Sequence, residues 1–114
     1  MNTVVIGVSS QEGMNARFAR AMAGETQGAY RSFESADDLW RTITPRRWAL
    51  LQAMTGAGEV SMRELARRVG RDVKGVHGDV HTLLNVGLID RTEHGKLLFP
   101  FDAVHIDFML KAAA

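Results

Sequence analysis

A chain of 114 residues and 12.6 kDa has the size of one domain, and a hydrophobic content of 46% supplies that domain with a core. The absence of cysteine excludes disulfide staples, thiolate zinc sites, iron–sulfur clusters and cysteine nucleophiles. The longest strongly apolar stretch, Val4 to Val8, is far below the ~20 residues that span a bilayer, and no basic signal-peptide region opens the chain, so the expected setting is cytoplasmic with no membrane partner. The formal net charge of +1 conceals a division: residues 1–40 carry three basic and five acidic side chains, 41–96 carry ten and six, and 97–114 carry one and two.

Thr3 to Ser9 is rich in β-branched residues and reads as a strand. A Ser9-x-x-Glu12 capping box then opens a helix that Gly24 stops, with Met14, Phe18, Ala21 and Met22 recurring at helical spacing as one apolar stripe. Gly28 to Phe33 reads as a second strand, which makes the first third a β-α-β unit. Ser35 is an N-cap with Asp37 and Asp38 in the first turn, where the helix dipole favours acids, and a short helix runs to about Ile43. Thr44-Pro45 starts the next helix, whose broad apolar face of Trp48, Ala49, Leu50, Leu51 and Met54 ends at Gly56 and Gly58.

The net +4 of the middle segment is concentrated from Arg41 to Lys74, where Arg46, Arg47, Arg63, Arg67, Arg68 and Arg71 also lie, opposed only by Glu59, Glu64 and Asp72. Such a field suits a polyanion, or else is a solvated face. Ser61-x-x-Glu64 caps a helix from Met62 to Val69 that Gly70 closes, and the small Ala66 permits close approach of a crossing helix. Asp72 caps a second helix with a core stripe of Val73, Val76, Val80, Leu83 and Leu84, leaving Lys74, His77, His81 and Asn85 on other faces. Two helices joined by so short a turn have the layout of a helix-turn-helix. Gly87 then ends the helix, Leu88-Ile89 begins a strand, Glu93-His94-Gly95 signals a tight hairpin, and Lys96 to Phe101 is the return strand. From Val104 to Leu110, apolar Val104, Ile106, Phe108 and Leu110 alternate with His105, Asp107 and Met109, the period of a half-buried strand. The expected fold is α+β: a winged helix-turn-helix over residues 34–103, preceded by an N-terminal β-α assembly arm over 1–33 and followed by a C-terminal strand and tail over 104–114.

The segment MRELARRVGRDVKGVHGDVHTLLNVGLIDR resembles the core of MarR-like winged-helix transcriptional regulators. It is especially similar to small bacterial and archaeal DNA-binding proteins with the pattern TP-RR-LL…ELARR-GRDVK-VH-DV-LL-GLI-R, and the similarity covers about residues 34 to 110. The resemblance implies an operon regulator, and members of the small group resemble antitoxins encoded beside toxin genes. One departure is that Gly75 and Gly78 stand in the recognition helix where larger polar residues are expected, removing possible base contacts and costing about 1 kcal/mol each relative to Ala. Alternatively, the glycines let that helix approach the DNA backbone closely.

On this reading Arg71, Lys74, His77 and His81 are the recognition-helix contacts, and Arg63, Arg67 and Arg68 meet phosphates from the helix that crosses the backbone. Arg67 or Arg68 can equally pair with Glu64. Arg91, His94 and Lys96 at or near the hairpin tip reach phosphate or minor groove, and for His94 a plain soluble hairpin is the alternative. His77 and His81 at i, i+4 can face one metal ion, yet no convincing third ligand is near and Asp79 lies on a different helical face, so neither metal nor cofactor is expected. Gly7-Val8-Ser9-Ser10-Gln11 lacks the final glycine of a nucleophile elbow, and phosphate-loop and dinucleotide motifs are missing, so no catalytic residue is expected. Trp40, Trp48, Phe99 and Phe101 suit core packing better than base stacking. Met14, Phe18 and Met22 are left to bind a partner, preferably a second copy, because a two-fold dimer matches two DNA half-sites. The runner-up is an antitoxin that captures a toxin through its N-terminal region or by strand addition at the terminal strand.

Overall fold

The computed structural model describes residues 2–8, 29–110 and 112. In chain order these form β1 (Thr3–Val8), β2 (Ala29–Phe33), α1 (Ala36–Thr42), α2 (Pro45–Met54), α3 (Met62–Val69), α4 (Val73–Asn85), β3 (Asp90–Arg91), β4 (Leu97–Leu98) and β5 (Ala103–Asp107). The result is a small α+β fold. The Ser9–Glu12 capping box and the helix bearing Met14, Phe18 and Met22 lie outside the described residues.

Each helix begins where a short polar side chain occupies the cap. Ser35 accepts from the Asp38 amide (3.1 Å), Thr44 from Arg47 (3.3 Å), Ser61 from Glu64 (3.1 Å) and Asp72 from Gly75 (2.9 Å), satisfying donors that the first helical turn leaves unpaired. Between α3 and α4 the chain turns at Gly70, whose φ of 68° is easily reached only without a Cβ. The Gly70 amide donates to the Arg67 carbonyl and the Arg71 amide to the Ala66 carbonyl, a Schellman closure that leaves one residue before the Asp72 cap.

β1 is the centre of a parallel three-stranded sheet in the order β2-β1-β5. Register sets Val4 beside Ala29 and Val104, and Ile6 beside Arg31 and Ile106. Val4 and Ile6 are fully buried and belong to the same cluster as Leu39, Leu50, Leu65, Val80 and Phe99, so sheet and helices share one core. A Cβ on Gly7 would lie 2.7 Å from the Asp107 carbonyl oxygen and 2.8 Å from the Tyr30 hydroxyl, so the close approach of strand and ring requires glycine there.

The strands are shorter than their hydrophobic patterns predict. β5 ends at Asp107, paired with Gly7 of β1. Phe108 leans edge-on against Trp40 (5.9 Å), while Met109 and Leu110 are 76% and 96% exposed, the latter against the inward position that alternation assigned it. The expected return strand from Lys96 to Phe101 reduces to Leu97–Leu98, antiparallel to β3 and bridged on its other side to Val60. Pro100 has no amide to donate, and the chain bends so that Phe99 and Phe101 enter the core edge-to-face. Trp40, expected inside, is 56% exposed, and Val73 at the first position of α4 is also exposed. Among the described residues no helix is long and apolar enough to cross a membrane.

Candidate nucleic-acid interface

Helices α2, α3 and α4 pack on one another, with Leu65 and Ala66 of α3 and Val76, Val80 and Leu83 of α4 buried. Burial of that stripe decides which side of α4 faces out. Lys74, His77, Gly78, His81 and Asn85, at i, i+3, i+4, i+7 and i+11, are exposed on one face that carries no acidic side chain. The only acid within the helix is Asp79, a quarter-turn or more away from this stripe.

Asp79 is occupied. Its Oδ1 accepts from Arg47 Nε at 3.0 Å and its Oδ2 from Arg71 Nη2 at 2.8 Å, and all three side chains are mostly buried. Arg47 Nη1 also donates to the carbonyls of Arg41 and Thr42, both at 3.1 Å, so this one guanidinium ties the end of α1 to α4. Arg71, expected as a recognition contact, is therefore held against the protein, with Nη1 buried and unpartnered among the described residues. Nothing in the sequence spacing announces the Arg47–Asp79 pair, which joins residues 32 positions apart.

On α3, Arg63 is exposed without an ion pair among the described residues, whereas Arg67 and Arg68 both donate to Glu64. Arg67 does so through Nε (2.9 Å) and Nη2, and Arg68 through Nε at 3.0 Å. Hydrogen bonds from Arg67 and then Arg68 hold the Glu64 carboxyl down to about 2, and Glu64 in turn raises the Arg67 guanidinium. These pairs are at the surface, where solvent screens them, so a phosphate can compete for either arginine.

At the hairpin, Arg91 Nη1 donates to the Gly95 carbonyl at 3.3 Å, and the Lys96 amide donates to the Thr92 hydroxyl at 3.2 Å. His94 Nδ1 lies 3.1 Å from Glu59 Oε1, tethering the hairpin tip to the loop before Val60. The hydrogen bond from Thr92, then that from His94, lowers the Glu59 carboxyl below its ordinary range. Lys74, His77 and His81 thus share one open face of α4, while Arg71 is turned to Asp79 and His94 to Glu59. Met14, Phe18 and Met22 lie outside the described residues.

Comparison with curated proteins finds no match to the chain. The profile of the HVO_A0114 family matches residues 42–106, from the end of α1 through Ile106 of β5, a span that includes α2, α3, α4 and the hairpin. By that match over more than half its length, the chain belongs to the HVO_A0114 family.

Proposed function

We propose that the chain is a sequence-specific double-stranded DNA-binding regulator, acting as a dimeric operon repressor. In this reading α2, α3, α4 and the β3–β4 hairpin form a winged helix-turn-helix of the MarR-like kind. The reaction is binding, without a catalytic step. The observation that carries the reading is the exposed, acid-free stripe of Lys74, His77, Gly78, His81 and Asn85 on α4. α4 would enter the major groove, where Lys74 meets guanine or phosphate, while Arg63, Arg67 and Arg68 of α3 meet the backbone. Arg91 and Lys96 at the hairpin would reach an adjacent phosphate or the minor groove.

Gly78 supports the same face. A Cβ there would meet no heavy atom within 4 Å, so internal packing does not demand glycine. A residue that weakens the helix by about 1 kcal/mol without an internal reason is explained by a close approach from outside. Dimerisation would present two such helices about 34 Å apart, one turn of the duplex.

The test is titration onto the duplex upstream of its own gene, against a scrambled duplex of equal length, at several salt concentrations. Selective binding that falls with salt supports the reading, and equal weak binding to both duplexes overturns it. A second reading, an antitoxin that binds a cognate toxin, is favoured by the exposed Met109 and Leu110 beside the outer strand β5, where a partner strand can add. Co-purification with the product of an adjacent gene, lost on deleting residues 108–114, would favour it.

A further inference from the structure

We propose that His77 and His81 form a two-imidazole chelate for a late first-row divalent cation on the exposed face of α4. The i, i+4 spacing alone places two rings on one side of a helix, but the structure adds their convergence. The two Nε2 atoms are 3.1 Å apart, with ring centroids 4.2 Å apart and the planes inclined by 45°. Without a cation the contact is a hydrogen bond only if one Nε2 is protonated and the other is not, so the pair presents at least one lone pair to the shared point.

Metal–imidazole bonds of about 2.0–2.1 Å spanning that separation subtend about 98° at the metal. This angle is nearer the right angle of octahedral or tetragonal coordination than the tetrahedral angle, which favours Ni²⁺ or Cu²⁺ over Zn²⁺, as does the affinity order for nitrogen ligands. Gly78 between the two histidines carries no side chain to obstruct the seat, and both rings are exposed. Among the described residues no third His, Asp or Glu joins them, and Asp79 is occupied by Arg47 and Arg71. Water therefore completes the coordination sphere, and binding is exchangeable rather than structural.

Binding is measured on the full chain without DNA, so the outcome stands apart from the regulator reading. Ni²⁺ is titrated calorimetrically into the wild type, His77→Gln, His81→Gln and a control carrying both His94→Gln and His105→Gln. The expected result is one site per chain, weakened about tenfold or more by either single substitution and unchanged in the control. Pulsed resonance spectroscopy of the Cu²⁺ form should show two imidazole nitrogens in the wild type and one in each single variant. Because His77 and His81 are exposed, the variants should retain the wild-type circular dichroism and melting temperature without metal, and Ni²⁺ should raise that temperature only in the wild type and control. Affinities of His77→Gln and His81→Gln within about twofold of the wild type, or loss confined to the control, would overturn the proposal.

Discussion

Gly78→Ala separates what α4 needs in order to fold from what its outer face is for. The added methyl meets no heavy atom within 4 Å, and Gly78 sits well inside a thirteen-residue helix, so the helix gains the full propensity difference of about 1 kcal/mol. For a domain of this size that is roughly a fivefold shift in the folding constant and about 4 °C in melting temperature. Urea unfolding followed by circular dichroism should show the midpoint rise without a change in slope. If α4 lies against a duplex, the same methyl stands at the centre of the contact, and anisotropy titration should show an affinity loss of about tenfold for each half-site. Gly7→Ala provides the contrast, because its methyl would meet a backbone oxygen at 2.7 Å and the Tyr30 hydroxyl at 2.8 Å. That variant should lose about 2 kcal/mol or more. A Gly78→Ala protein that is more stable and binds the operator duplex as tightly as wild type would refute the argument that the glycine serves a close external approach.

Asp79→Ala leaves the guanidinium groups of Arg47 and Arg71 without their shared carboxylate, and the side chain removed is only 16% exposed. Breaking a fully buried pair costs about 3–5 kcal/mol; with partial exposure the expected loss is about 2–3 kcal/mol, read from urea unfolding. A loss below about 0.5 kcal/mol would mean that the cluster does not fix α4 against α1 and α2. Glu64 titrates near 2 in the folded chain against an ordinary 4.5, so its contribution to stability is present above pH 4.5 and disappears as the pH falls toward 2. Glu64→Gln should therefore flatten the dependence of the urea midpoint on pH across that window, and an acid limb as steep as that of the wild type would contradict the assignment. Glu59 is shifted in the same direction, so Glu59→Gln should have a smaller effect of the same sign.

Features decided within one turn of chain are readable from the residues. The caps at Ser35, Thr44, Ser61 and Asp72 and the reversal at Gly70 depend on side chains no more than five positions apart. The partners of β1 are not readable in this way. Parallel pairing of Val4 with both Ala29 and Val104 closes loops of very different length, and no local pattern specifies it. Strand ends fail for a related reason: alternation reports which face a residue prefers, whereas tertiary contacts decide where pairing stops, as after Asp107, where Phe108 packs edge-on against Trp40. In the candidate site, the open positions of Lys74, His77 and His81 follow from the buried stripe of α4, and Glu64 was already a candidate partner for Arg67 or Arg68. The capture of Arg71 by Asp79 was not legible, because an ion pair between α4 and the turn before it depends on how Arg47 of α2 approaches the same carboxylate.

That capture changes what the basic segment can offer a polyanion. Of the eight cations from Arg41 to Lys74, Arg41 pairs with Asp38, Arg47 and Arg71 with Asp79, and Arg67 and Arg68 with Glu64. Arg46, Arg63 and Lys74 are exposed without an ion pair among the described residues. Exchanging the surface partner Glu64 for phosphate costs little, so Arg67 and Arg68 can join these three; withdrawing Arg47 and Arg71 from Asp79 would expose a carboxylate to the same phosphates. Each phosphate neutralised contributes about −0.9 to the slope of log affinity against log salt, so the free cations of this segment predict about −3 per chain, Arg67 and Arg68 bring it to about −4.5, and Arg91 and Lys96 of the hairpin to about −6. Lys74→Ala should make the slope shallower by about 0.9 at unchanged stability, while Arg71→Ala should lower stability and leave the slope unaltered. A change of slope on Arg71→Ala as large as that on Lys74→Ala would show that the cluster around Asp79 opens on the duplex.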